Sequence, residues 1–278
     1  MSRPPCIQVE DLHYLYNGEV LALEGISLTI DDNDLVAVIG QNGSGKTTLV
    51  KHFNGLLKPT RGRVLINGAD TRHHTVGELA RTVGYVFQNP DYQIFCSTTR
   101  EELSFGPRNL GLSETEIQER TEEALAYFGL EPFADRPPAI LGFGLRRKVS
   151  IAAVYAMRPR IFVLDEPTTG LDWKATMDLM ALIGRLHREG HTIILVTHDM
   201  RIVAEHARKS LVLQRGKVLA YGLTRDIFRQ AELLRSTQIE PPQITVLARQ
   251  LAPQGFPDNI LTVDEFCRAY ERRVRTRP

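Results

Sequence analysis

The 278-residue chain is poor in cysteine and tryptophan, with three and one, and it has almost no net charge, since 34 Lys+Arg stand against 33 Asp+Glu. Cys6, Cys96 and Cys267 are far apart, odd in number and without metal-ligand spacing, which argues against a disulfide framework or a zinc site. The formal charge of +1 argues against a nucleic-acid coat or a polybasic membrane anchor, whose phosphate contacts need surplus positive charge. Long apolar runs are missing too. Runs such as Ile161 to Leu164 and Ile193 to Val196 are strand-length, far short of the roughly 18–20 residues that cross a bilayer as a helix. The opening Met1-Ser2-Arg3-Pro4-Pro5-Cys6 has one charge and no signal-type hydrophobic stretch. The expectation is a cytoplasmic chain that by itself neither spans a membrane nor is secreted. What is present is ordinary: 42% hydrophobic and 24% charged residues, enough for one large domain or a domain with a smaller appendage.

Short alternating runs over Ile7 to Ile30, with turn signals at Asn17-Gly18 and Glu24-Gly25, predict antiparallel strands, as does Gly62 to Ile66 followed by Asn67-Gly68. Leu35 to Ile39, Ile161 to Leu164 and Thr192 to Val196 are uninterrupted apolar runs that suit strands buried on both faces of a parallel sheet. Helical periodicity covers Ser113 to Leu130, with Ser113 as N-cap and Glu116 as its capping-box partner, and again Trp173 to Glu189, closed by Gly190. Strands alternating with helices predict a three-layer α/β core with a helical insertion at about 89–157. Beyond about Thr224, short helical pieces broken by Pro241-Pro242, Pro253 and Pro257 suggest a small C-terminal appendage over 226–278. Its Arg268, Arg272, Arg273, Arg275 and Arg277 fit a solvated helix end better than a nucleic-acid tail.

Gly40-Gln41-Asn42-Gly43-Ser44-Gly45-Lys46-Thr47, adjoined by Thr48, fits the nucleotide P-loop pattern, and its flanks supply the required strand and helix. The glycines let successive backbone N–H groups and the helix N-terminus point at a β-phosphate. Lys46 adds a charge that reaches the β- and γ-phosphates, and the Thr47 hydroxyl completes a Mg2+ shell. Ile161 to Leu164 ends in Asp165-Glu166, at the strand end where ligands of parallel sheets collect. Asp165 is expected to hold the Mg2+ shell and Glu166 to act as general base on the attacking water; a helix N-cap is the plainer alternative for this acidic pair.

The ordered set of P-loop, Gln88 after Tyr85-Val86-Phe87, Asp165-Glu166-Pro167, Gly170-Leu171-Asp172 and His198 within Val196-Thr197-His198-Asp199 resembles the nucleotide-binding subunits of ABC transporters over about residues 6–225. The resemblance implies an ABC-type nucleotide-binding domain over 1–225, with a P-loop NTPase three-layer core, an antiparallel β subdomain and an inserted helical subdomain. It also implies ATP and Mg2+ as cofactors. In it, Gln88 helps place Mg2+ and water and links them to the transmembrane partner, His198 contacts the γ-phosphate, and Asp172 communicates across a dimer interface. An aromatic residue stacks on adenine; Tyr16 is chosen, with Tyr14 on the same strand face as the alternative. Phe87 to Phe95, Phe105 to Leu112 and the tail segments Glu240 to Thr245 and Leu261 to Phe266 are similar to ATPases of energy-coupling-factor transporters, which import vitamins and cobalt or nickel ions. Such chains work on the cytoplasmic face of the membrane. They pair with a second ATPase and dock on a transmembrane coupling subunit that carries a substrate-binding membrane protein, with no nucleic acid involved.

One motif departs from that family. Where Leu-Ser-Gly-Gly-Gln is expected, the chain has Leu141-Gly142-Phe143-Gly144-Leu145. In the family this signature loop closes over the γ-phosphate of the opposite subunit. Loss of a transition-state donor there slows chemistry by roughly 100-fold or more, although backbone amides remain. The apparatus acting in cis is intact and only the loop lent in trans is altered, which implies a heterodimer with a paralogue whose signature is intact. A homodimer with two weakened sites, a weakly hydrolysing regulatory module, a nucleic-acid-associated ATPase and a small-metabolite P-loop kinase are the competing readings.

Overall fold

The computed structural model describes residues 5–275, so Arg277 of the basic tail lies outside the described residues, as do residues 1–4. The strands are β1 (Ile7–Tyr16), β2 (Val20–Ile30), β3 (Leu35–Gly40), β4 (Arg61–Ile66), β5 (Ala69–Asp70), β6 (Val83–Val86), β7 (Ile161–Asp165), β8 (Thr192–Val196), β9 (Lys209–Gln214) and β10 (Lys217–Leu223). They form an antiparallel sheet of order β2-β1-β4-β5 and a second sheet of order β10-β9-β3-β8-β7-β6, parallel from β9 to β6 with β10 added antiparallel at its edge.

The apolar runs have this form because both faces of the parallel sheet are covered. Along β3, Leu35, Ala37 and Ile39 face one core, while Val36 and Val38 face another. β7 and β8 divide in the same way, Phe162, Leu164, Ile193 and Leu195 to the first core and Ile161, Val163, Ile194 and Val196 to the second. The second core is closed by the antiparallel sheet and by Leu49, Val50 and Phe53 of and just after α1 (Lys46–Lys51). The three layers expected from the sequence are therefore present.

The remaining helices are α2 (Val76–Leu79), α3 (Thr99–Asn109), α4 (Glu114–Phe128), α5 (Phe143–Tyr155), α6 (Trp173–Arg188), α7 (Met200–His206), α8 (Thr224–Arg229), α9 (Ala231–Ser236), α10 (Gln243–Gln250) and α11 (Val263–Arg275). Helices α3, α4 and α5 pack on one another as the inserted helical subdomain. Ser113 caps α4 through the reciprocal box with Glu116, as the spacing predicts, and Asp172 caps α6 by accepting from Ala175 N at 2.8 Å.

The structure corrects the sequence reading at Glu24-Gly25. The pair does not turn the chain; it lies inside β2, where the pairing with β1 shifts register between Leu12/Ile26 and Tyr14/Leu23. Glu24 N there donates to Gly216 O at 2.9 Å, so this irregularity ties the antiparallel sheet to the β9–β10 hairpin. The boundary expected at 225 falls inside α8, and residues beyond it continue the main packing: Leu234, Ile239 and Leu261 are buried in the first core. Among the described residues, no helix is long and apolar enough to cross a membrane.

Candidate active site

β3 delivers the chain to Gly40 and α1 takes it up at Lys46. Gly40 has φ 153°, and an added Cβ would fall 2.3 Å from Leu213 O, so the exit from the strand admits no side chain. Lys46 is only 8% exposed, and its Nζ donates to Gly40 O at 2.8 Å and Gln41 O at 2.9 Å. Burial pushes the ammonium pKa down, and the carboxylates of Glu166 and Asp165 pull it back up. Ser44 Oγ is buried with no partner among the described residues. The loop is a concavity with a cation at its floor and an unsatisfied hydroxyl in its wall, which fits an anion.

Strand period two sets the next part. Asp165 shares a face with Ile161 and Val163, the face that packs toward α1, and Thr47 Oγ1 donates to Asp165 Oδ2 at 3.0 Å and Oδ1 at 3.2 Å. The hydroxyl and carboxylate oxygens that converge here are donors of the kind a hard divalent cation takes. Tyr85 on β6 is in register with Val163 of β7, and its phenol donates to Asp165 Oδ2 at 2.9 Å. Burial and the adjacent Asp165 push the phenol's pKa upward, so it stays a donor. This fixing role was not read from the sequence. The available signal was a tyrosine in an otherwise apolar inner strand, since a buried phenol needs a partner.

Glu166 lies just past the strand end with φ 48°, a left-handed conformation that is costly for a residue with a Cβ. Its N–H donates to Val196 O at 2.9 Å, and its Oε2 accepts from Thr169 Oγ1 at 3.2 Å. The same Oε2 lies 2.8 Å from Nδ1 of His198, whose side chain is 66% exposed. His198 is therefore at the site mouth and is no core histidine. The structure brings Lys46, Thr47, Asp165, Glu166 and His198 into one group at the C-terminal ends of β3, β7 and β8.

Other expected residues sit at the rim. Tyr16 is 38% exposed, and its hydroxyl is 3.1 Å from Thr48 Oγ1. Tyr14 meets Tyr16 edge-on at 4.9 Å but packs toward the second core and His52, so Tyr16 has the freer ring face. Asn42 and Gly43 are exposed at the tip of the loop, while Gln41 donates from Nε2 to Thr237 O at 2.9 Å, joining the P-loop to the C-terminal segment. Gln88 is exposed, and among the described residues no hydrogen bond joins its side chain to Thr47, Asp165 or Glu166. Its backbone is held, however: fully buried Arg147 donates to the carbonyls of Phe87, at 2.8 Å, and Gln88. Burial lowers the Arg147 pKa to about 10, opposed by Asp165. The role of that arginine is not legible in the sequence, because its partners lie about 60 residues away.

The altered signature forms the start of α5. Leu141 is buried, Gly142 is the exposed N-cap and Phe143, Gly144 and Leu145 are half-buried in the first turn. α3, α4 and α6 each have a side-chain oxygen at the N-cap; Gly142 has none, so the first N–H groups of α5 depend on an outside acceptor. This loop lies beside the segment leading to Asp172, not beside its own P-loop: a Cβ on Gly144 would meet Leu171 Cδ2 at 3.7 Å.

A strand-loop-helix phosphate cradle, an acidic strand end and an inserted helical subdomain define an ATP-binding cassette. Residues 23–169 match the ABC transporter family model, and the chain belongs to that family. Within it, relatives matched over nearly their full length include energy-coupling factor transporter ATP-binding proteins. One, from Methanoculleus marisnigri, is 43% identical over 96% of this chain and 99% of its own length. Another, from Caldanaerobacter subterraneus, is 43% identical over 93% and 94%. A longer ABC transporter ATP-binding protein of C. subterraneus is 47% identical over 88% of this chain, which spans only 43% of that relative's length. Among solved structures, cbiO1 of Clostridium perfringens, part of the ABC transporter complex cbiONQ, superposes with a TM-score of 0.76 at 36% identity over 88% of this chain and 99% of the other. A dimeric ATP-binding cassette bound to ADP and phosphate gives 0.70 at 29% identity, over 78% and 98%.

Proposed function

We propose that this chain is the ATP-hydrolysing subunit of an energy-coupling-factor importer for a vitamin or a transition-metal ion, working peripherally on the cytoplasmic face of the membrane. The observation that carries the reading is the convergence of Lys46, Thr47, Asp165, Glu166 and His198 around the mouth of the P-loop. ATP enters as substrate. The loop amides and the N-terminus of α1 take its phosphates, and Lys46 exchanges its two backbone carbonyls for phosphate oxygens. Thr47 and Asp165 would hold Mg2+, with Tyr85 fixing the carboxylate; the ion supplies charge neutralisation on the phosphates when bound. Glu166 accepts the proton of the attacking water, and its contact with His198 orients the imidazole toward the γ-phosphate. Gln88 joins this group from the loop that Arg147 holds, and Tyr16 stacks on adenine.

Signature groups come from a second ATPase, a paralogue in our reading, across a dimer face where Asp172 sits. Helix α11 supports a dimerising role for the extension: Val263, Cys267, Tyr270 and Val274 recur at spacings of four, three and four on an exposed stripe. The docking face for the transmembrane coupling subunit, which in turn carries the substrate-binding subunit, is the helical subdomain just after Gln88. There Tyr92 is 81% exposed and Phe95 65%, two open apolar groups three residues apart. Tyr92→Asp combined with Phe95→Asp should release the chain from solubilised native membrane subunits while leaving ATP affinity unchanged. Retention on those subunits by the double variant would contradict the docking assignment. The altered signature favours one second reading, a partner that binds ATP and hydrolyses little.

A further inference from the structure

Phe143 stands where the family has glycine, and its ring meets the Gly170 segment directly and the loop after β6 through two arginines. Its ring lies against Gly170, on the segment leading to Asp172; a Cβ on Gly170, whose φ is 82°, would fall 3.0 Å from Phe143 Cε1. Its other neighbours are cations. The guanidinium carbon of Arg147 is 5.5 Å from the ring centroid and that of Arg146 is 5.8 Å. Both arginines continue to the loop after β6: Arg147 to the carbonyls of Phe87 and Gln88, and Arg146 Nη1 to Asp91 Oδ1 at 3.1 Å.

We infer that Phe143 is a positioning residue that braces the signature loop against the Gly170 and Gln88 loops of its own chain. The inference rests on the assignment of 141–145 as the loop lent to the partner's ATP. A glycine at 143 would offer neither a surface for Gly170 nor a π face for the arginines. With the phenyl ring in place, a displacement of the signature loop by the partner's nucleotide is passed to the segment before Asp172 and to Gln88, which serve this chain's own nucleotide. The two ATP sites are thereby coupled through one side chain. The loop that loses a donor at Gly142 is thus also stiffened at Phe143, and the connection between sites with it.

Hydrogen exchange of the full chain without nucleotide tests this independently of any ATPase activity. Phe143→Gly should raise exchange about tenfold in both 86–92 and 168–173, with β3 and β8 unchanged. Phe143→Leu keeps apolar bulk against Gly170 and loses the π face, so exchange should rise in 86–92 alone. Phe143→Tyr should match the natural chain. If Phe143→Gly does not fold, the leucine and tyrosine variants still decide the matter. Exchange that rises only within 141–145, or a leucine variant indistinguishable from the natural chain in 86–92, would overturn the inference. Failure of the functional reading would appear elsewhere, as a complex of natural chains that does not hydrolyse ATP.

Discussion

Replacing Glu166 by Gln is expected to lower ATP turnover by about a thousandfold while leaving ATP bound. The expectation follows from the position of the carboxylate. Glu166 is 8% exposed, at the end of β7, held by Val196 O through its N–H and by Thr169 and His198 at Oε2. Glutamine keeps the shape and can still meet His198, but it cannot accept a proton from water, and general-base catalysis is worth roughly 100-fold to 10,000-fold. None of the phosphate-binding groups is touched, so nucleotide affinity should persist. The dimer should then accumulate closed around unhydrolysed ATP, because ATP's preference for the closed state is what drives closure and only hydrolysis removes it. Single-turnover hydrolysis and light scattering with ATP measure the two parts. Unchanged turnover would remove Glu166 from its assigned role.

Lys46→Ala has the second large effect, on binding. The Nζ lies inside the P-loop concavity on Gly40 O and Gln41 O, and no other lysine or arginine is bonded to those two carbonyls among the described residues. A charge-assisted contact to phosphate of this kind is worth about 3 kcal/mol, or about a hundredfold in affinity. ATP should therefore cease to raise the melting temperature at concentrations that stabilise the natural chain, since ligand stabilisation scales with the logarithm of concentration over Kd. Arginine is not expected to substitute, because its planar fork does not fit a space built for a point charge. Calorimetric titration with ATP checks the affinity directly.

The parts of this site legible in sequence were those set by local spacing. The P-loop, Asp165-Glu166 and the Ser113–Glu116 box are short patterns in which backbone geometry and neighbouring side chains suffice. The strands β3, β7 and β8 were legible because burial on both faces leaves an unbroken apolar run. Features that depend on distant partners were not legible. Tyr85 meets Asp165 across 80 residues, and Arg147 meets Phe87 across 60. Glu24-Gly25 has turn chemistry, but β1 and the Gly216 carbonyl keep it in a strand, so tertiary pairing overrode a local signal. The C-terminal pieces were recognised by their prolines. Their integration through Leu234, Ile239 and the Gln41–Thr237 hydrogen bond required the three-dimensional packing.

The central claim is an intact catalytic apparatus in cis joined to a weakened loop in trans. Steady-state ATP hydrolysis by the purified chain, alone and with the paralogous partner we propose, tests it most directly. Alone, the chain should be slow and should gain about tenfold on Gly142→Ser; with the partner, the unsubstituted chain should rise by a similar factor or more. A fast unaided chain, indifferent both to Gly142→Ser and to the partner, would contradict the account.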